Sequence, residues 1–187
     1  MAAELFPDVV LSTPRLSLRP FEECDIDGVL SAASDPVTQQ WLPLPDPYTR
    51  EHAQSWCRDE APSVRTSGQG LVRAIEVAGQ LVGAIDLKRT DWAARTTEIG
   101  YWTSPEARGQ GYMTEAVRTL ACWALQDMGF ARVELRVAPL NAASLRVAQK
   151  AGFVLEGVAR SAGHVHTGRV DLVISSLVRA DLGLPER

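Results

Sequence analysis

The amino-acid sequence predicts an α+β fold, a mixed and mostly antiparallel sheet with helices on both faces. Three observations lead there. Segments of alternating apolar and polar residues recur along the chain, the middle ones as an antiparallel run and the later ones interleaved with helical patterns. Their order reads β-α-α-β-β-β-α-β-α-β-β. The length of 187 residues, with 45% apolar and 22% charged residues, suits one domain over 1–187 with a sizeable core.

The elements follow in order. Leu16 to Phe21 alternates and reads as a strand. Asp25 can cap a short helix through about Ser34. Pro43, Pro45 and Pro47 make a loop of Trp41 to Tyr48, and Thr49 opens a polar helix from Arg50 to about Val64. After a turn at Thr66 to Gly70, the strands Leu71 to Val77 and Leu81 to Lys88 flank a compact hairpin turn at Ala78-Gly79-Gln80. Thr96 to Trp102 is the next strand. It leads through RGQGYM (Arg108 to Met113) into a helix whose Met113, Val117, Leu120, Ala124 and Met128 form one apolar face, with Gly129 as its C-terminal cap. Arg132 to Ala138 alternates again. Asn141 opens a last helix that turns Leu145, Ala148 and Ala151 inward and ends at Gly152, and Phe153 to Val158 and Val170 to Val178 close the sheet.

Composition excludes several functions. A net charge of −4 argues against a nucleic-acid partner, although the Arg and Lys residues between Arg132 and Arg169 leave room for a local anion site. Cys24, Cys57 and Cys122 lie far apart without CxxC spacing, so neither a disulfide framework nor a metal site is expected. The stretch MAAELFPDVV lacks the basic and apolar regions of a signal peptide, and no apolar run is long enough to span a membrane. The chain reads as cytoplasmic, with no membrane partner.

The most telling segment is Glu98 to Ala116. A strand runs into a glycine-punctuated turn that opens directly into a long helix. Such a turn presents free backbone N–H groups at the positive end of the helix dipole and suits a phosphate. The chain has no GxxxxGK[ST] string. The dinucleotide fingerprint fails at its third glycine, where Thr114 stands, and the acidic residue near the required distance, Asp127, falls on a helix.

A third pattern does fit. Arg108-Gly-Gln-Gly111-Tyr-Met113, followed by Asn141-Ala-Ala-Ser144 and Gly152-Phe153, resembles the GNAT acetyltransferase superfamily. The order of LSTPRLSLRPF, EIGYW, GYMTEA and NAASLRVAQKAGF extends the resemblance over nearly the whole chain, towards the RimJ/RimL-type ribosomal-protein-alanine N-acetyltransferase branch. Met113 departs from the Gly or Ala usual in the motif.

The resemblance implies the GNAT fold and acetyl-CoA as cosubstrate, with no metal. The cofactor-binding set it implies is Ile99, Gly100 and Tyr101 on the strand that pairs with the pantetheine arm, then Arg108, Gly109, Gln110, Gly111, Tyr112, Met113 and Thr114 around the pyrophosphate, and Asn141 beside the thiol. Glycine at 109 and 111 lets phosphate approach the backbone, Arg108 adds a charge-assisted bond, and Asn141 doubles as a helix N-cap. Many family members use a tyrosine as general acid where Ala148 stands here, so Ser144, one turn earlier, is the expected proton donor to the leaving thiolate. A carboxylate that the branch sometimes places near Gly163 is missing. Glu98, on the strand ahead of the turn, is the expected general base, acting through a water.

The reaction implied is direct attack of a neutral amine on the thioester. Deprotonating a lysine side chain at pH 7 costs ~4.6 kcal/mol and an α-amine only ~1–1.4 kcal/mol, which favours a protein N-terminal α-amine as acceptor. A small amine such as a polyamine or an aminoglycoside is the alternative acceptor, and a non-catalytic acyl-CoA sensor is the alternative of another class. Trp41, Tyr48 and Trp56 either wall the acceptor site or pack in the core, and Trp102 and Trp123 read as core. His164 and His166, in an expected loop from Ser161 to Arg169, either meet substrate or face solvent. A homodimer is a family-level expectation.

Overall fold

The computed structural model describes residues 4–185. Eight strands form one sheet: β1 (Leu11–Ser12), β2 (Ser17–Arg19), β3 (Leu71–Val77), β4 (Gln80–Asp91), β5 (Thr96–Thr103), β6 (Arg132–Val137), β7 (Val154–Val165) and β8 (Gly168–Val178). Their order is β1-β2-β3-β4-β5-β6-β8-β7, antiparallel throughout except where β5 meets β6. The helices are α1 (Ile26–Ser34), α2 (Pro36–Trp41), α3 (Arg50–Ser55), α4 (Ala61–Thr66), α5 (Tyr112–Gln126) and α6 (Ala142–Lys150). None is long and apolar enough to cross a membrane among the described residues.

Strand alternation sorts the side chains onto two cores. On one face Leu18, Ile75, Leu87, Ile99 and Leu135 pack with Val117, Leu120 and Ala124 of α5 and Ala148 of α6. On the other, Val72, Ala74 and Ala84 pack under Val29 of α1 and Ala53 of α3. The central strand β3 is buried on both faces, so its sequence LVRAIEV alternates poorly. Gly129 and Gly152, both at positive φ, close α5 and α6; Phe130 N–H returns to Ala124 O and Phe153 N–H to Ala148 O, each at 3.0 Å.

The structure departs from the sequence expectation in four places. A two-residue strand, β1, precedes the first expected strand. The helix α2 forms just before the proline-rich loop, its N-cap Asp35 accepting the Thr38 N–H at 2.9 Å with Pro36 at N1. The expected helix from Arg50 widens into a π turn over Trp56–Glu60, where Ala61 N–H reaches back five residues to Trp56 O. Pro62 follows at once, and the wider turn relieves the clash of its ring with the preceding carbonyls. Finally, the loop expected from Ser161 to Arg169 is mostly paired strand, with the β7–β8 hairpin turning at His166-Thr167.

The edge strand β7 is tied back across β8. Arg132 of β6 donates to Glu156 of β7 at 2.6 Å, and Ser176 of β8 donates to the same carboxylate at 2.7 Å. These bonds, Arg132 first, hold the Glu156 carboxyl down to about 2. A carboxyl lowered on folding contributes stability above its unfolded value, and the contribution is lost as pH falls towards the folded one. The pair is largely exposed and screened, so Glu156→Gln should cost under ~1 kcal/mol at pH 7. In urea titrations the gap from the parent protein should close as pH falls from about 4.5 towards 2.

Candidate active site

The site begins at the turn between β5 and α5. Gly109 (φ 78°) and Gly111 (φ 80°) are both left-handed, and Gly111 caps α5 without a side chain. A Cβ on Gly109 would touch nothing within 4 Å, so its glycine answers to backbone conformation and not to crowding. The first-turn N–H groups of α5, Tyr112, Met113 and Thr114 among them, lack intrahelical acceptors and face the turn. The Met113 side chain is 6% exposed and packs in the core, its Cε 3.4 Å from where a Cβ on Gly83 would lie, so the longer residue leaves the helix mouth open.

Two arginines frame the turn. The Arg108 guanidinium, expected on a phosphate, donates in this structure to the carboxylate of Asp35 and, at 3.2 Å, to the hydroxyl of Thr38 at the start of α2. Arg108 holds the Asp35 carboxyl below its ordinary range. The cation against the turn itself is Arg15, which the sequence reading passed over. It donates to Gln110 O at 3.3 Å, pairs with Glu115 and lies 5.1 Å from the Tyr112 ring centroid.

Beyond the turn the sheet comes apart. β5 and β6 pair from Thr96↔Arg132 to Ile99↔Leu135 and no further. β5 stays on β4 to Thr103↔Gly83, while β6 stays on β8 to Val137↔Val173. The gap opens into a cavity of about 630 Å³. It brings together Glu98, Ile99, Gly100, Tyr101, Arg108, Met113, Asn141 and Ser144. Gly109, Gln110, Gly111, Tyr112 and Thr114 do not line it; they form the turn and helix start at its margin.

Asn141 caps α6, its Oδ1 accepting the Ser144 N–H at 3.1 Å, which leaves its amide donors for other partners. The Tyr101 hydroxyl donates to Ser144 O at 3.3 Å, and burial pushes it up to about 12. Tyr101 and Ser144 both line the α6 end of the cavity, while Ala148 is buried in the core. Glu98 is 8% exposed and ringed by cations: Arg89 at 3.0 Å, Lys88 at 3.8 Å and Arg136 at 3.9 Å. Gly163 lines the far wall, and His164 lines it too, paired across the hairpin with Arg169. His166 Nε2 lies 3.0 Å from Gln39 Oε1, so the hairpin tip meets α2.

Trp41 lines this cavity, whereas Tyr48 and Trp56 line a smaller adjoining one together with Trp102. Trp102 and Trp123 are only partly buried against the two cores. One further residue escaped the sequence reading. Asp86 of β4 accepts the Gly100 N–H on Oδ1 at 2.8 Å, at the point where β5 leaves β6. In sequence it reads as a polar position on an alternating strand; the signal is its pairing with a glycine, which only the register reveals.

Known proteins match this geometry. The family model for the acetyltransferase (GNAT) domain matches residues 15–154. The Bacillus subtilis protein YdaF, provisionally named a ribosomal N-acetyltransferase, is 32% identical over 136 residues, 73% of this chain and 72% of its own. The ribosomal-protein-serine acetyltransferase of Escherichia coli is 32% identical over 83 residues, 44% of this chain and 46% of its own. The structure is similar to that of Mycobacterium smegmatis RimJ in complex with a CoA disulfide, with a TM-score of 0.82 at 23% identity over 93% of this chain and 88% of that one. At that identity the likeness is one of fold.

The left-handed turn makes a direct prediction. A Cβ at φ 80° is strained by ~1–2 kcal/mol, so Gly111→Ala should lower the melting temperature by about 2–8 °C in a calorimetric scan.

Proposed function

Since the chain belongs to the GNAT acetyltransferase family, we propose that it moves the acetyl group of acetyl-CoA onto a protein N-terminal α-amine. Its class, an acetyl-CoA-dependent N-acetyltransferase, comes with the family. The observation that carries the reading is the parting of β5 from β6 beside the start of α5. Past the end of its pairing with β6, the backbone of Ile99, Gly100 and Tyr101 offers a strand edge to the pantetheine arm, less the Gly100 N–H that Asp86 holds, and the N–H groups of Gln110, Gly111, Met113 and Thr114 offer donors to the pyrophosphate. Arg15 stands against the turn, and Arg108 reaches a phosphate only by giving up Asp35. The Asn141 amide faces the same cavity.

In this reading the amine attacks the thioester directly. Ser144, whose backbone carbonyl the Tyr101 hydroxyl holds, gives a proton to the departing thiolate. Glu98, held among Arg89, Lys88 and Arg136, fixes those cations at the cavity wall. The N-terminal acceptor is supported by the low cost of deprotonating an α-amine and by the names of relatives such as the ribosomal-protein-serine acetyltransferase.

Free-thiol release from acetyl-CoA should be faster with N-terminal peptides than with spermidine or an aminoglycoside. Release with the polyamine alone would move the acceptor to small amines, and CoA binding without release on any amine would leave a sensor. Ser144→Ala should lower kcat ~10²-fold with little change in the KM for acetyl-CoA.

A further inference from the structure

On the face covered by α1 to α4, a second cavity of about 200 Å³ adjoins the first and shares Lys88, Tyr101 and Trp102 with it. Its walls are apolar and aromatic, with Val29, Leu44, Tyr48, Trp56 and Trp102 among them, and one carboxylate lines it, that of Asp86. Asp86 stands on a central strand, paired with Val72 on one side and Gly100 on the other. Its Oδ1 is held by the Gly100 N–H at 2.8 Å. A Cβ on residue 100 would lie 2.5 Å from that oxygen and 2.3 Å from Lys88 Nζ, so the carboxylate can fold over the strand only because a glycine is there. In the same wall the indole Nε1 of Trp56 is buried with no acceptor among the described residues.

A carboxylate among apolar walls calls for a cation. Lys88 Nζ, 3.9 Å away, is too far for a hydrogen bond and is divided with Glu98 at 3.8 Å. Burial raises the Asp86 carboxyl above the usual carboxylate range, with Lys88 and the Gly100 N–H drawing it partly back. The remaining titratable groups lining this cavity are the hydroxyls of Tyr48 and Tyr101, both pushed up to about 12 by burial and hence uncharged near neutrality.

We propose that the second cavity is the acceptor subsite: Asp86 binds the α-ammonium and takes its first proton, and the apolar walls hold a compact apolar side chain beside the amine. This rests on the acetyl-transfer reading and narrows its substrate class to N-terminal residues with such a side chain. Lys88 turns to Glu98 when the ammonium arrives. The amine gives one proton to Asp86, and its freed lone pair forms the N–C bond to the thioester carbonyl carbon. The adduct then loses its second N–H proton as the C–S bond breaks and the thiolate takes up one proton; the proton on Asp86 passes to solvent. Glu98 already has its own cations: Arg89 donates to it at 3.0 Å, and Lys88 and Arg136 stand within 4 Å. Trp56 N–H would serve the carbonyl that follows an N-terminal residue.

The probes are L-leucinamide, which carries one α-ammonium, an apolar side chain and a carbonyl, and spermidine. Asp86→Asn keeps the oxygen that accepts the Gly100 N–H but loses charge and basicity. A carboxyl raised on folding destabilises the protein as pH rises through its two values, so the variant should melt at or above the parent temperature at pH 7. In titration calorimetry the parent should bind L-leucinamide at least tenfold tighter than Asp86→Asn does, and tighter than it binds spermidine. Both should bind CoA alike. With acetyl-CoA present, kcat/KM for L-leucinamide should fall ~10²–10⁴-fold in Asp86→Asn, far more than in Glu98→Gln. Equal amine affinity in parent and variant, no amine binding at all, or a larger loss in Glu98→Gln would overturn the assignment. Asp86-dependent binding without thiol release would uphold the subsite and overturn the acetyl-transfer reading instead.

Discussion

The architecture depends on two strands that start as partners and then separate. Up to Ile99↔Leu135, β5 and β6 satisfy each other's backbone groups; past that point each keeps only its outer neighbour. Two inner edges then face one another inside the protein without a ladder between them, where unpaired backbone is costly, and Asp86 takes up the Gly100 N–H. The arrangement holds because β4 and β8 anchor the two halves independently, and because α5 and α6 cover the gap on one side. The cavity, the helix mouth beside it and the position of Ser144 all follow from that single interruption in the ladder.

The parts of this design that sequence revealed are those written in local conformation. Gly109 and Gly111 announce a turn that only left-handed residues can make, and the apolar steps of α5 and Gly129 announce the helix and its end. α2 carries a proper cap and first turn in Asp35 and Pro36, but its six residues are too few to show a helical period before the three prolines after Leu42. The β7–β8 hairpin was shortened because β7, an edge strand, is largely exposed and so lacks the alternation that marks a half-buried strand. Asp86 was invisible for a different reason. Its meaning lies in Gly100, fourteen positions away and directly across the ladder, and pairing register is not readable from either residue alone.

Charge tells a similar story at another scale. The chain carries −4 overall, yet the main cavity is lined by Lys88, Arg89, Arg108, Arg136 and Arg169 against the single carboxylate of Glu98. Net charge governs long-range encounters, whereas the field inside a cleft is set by the few groups that wall it. The smaller cavity has one carboxylate, Asp86, and one cation, Lys88, among aromatic and apolar walls. Two adjoining chambers of unlike polarity meet at β5, whose residues point alternately into one core or the other.

That alternation has a kinetic consequence. The helix mouth lies beside α5 and Asp86 on the face covered by α1 to α4, so the proposed donor and acceptor positions are distinct. Among the described residues no cysteine lines either cavity. With the acceptor at Asp86 as proposed, both substrates are bound at once, and initial-rate lines intersect instead of running parallel.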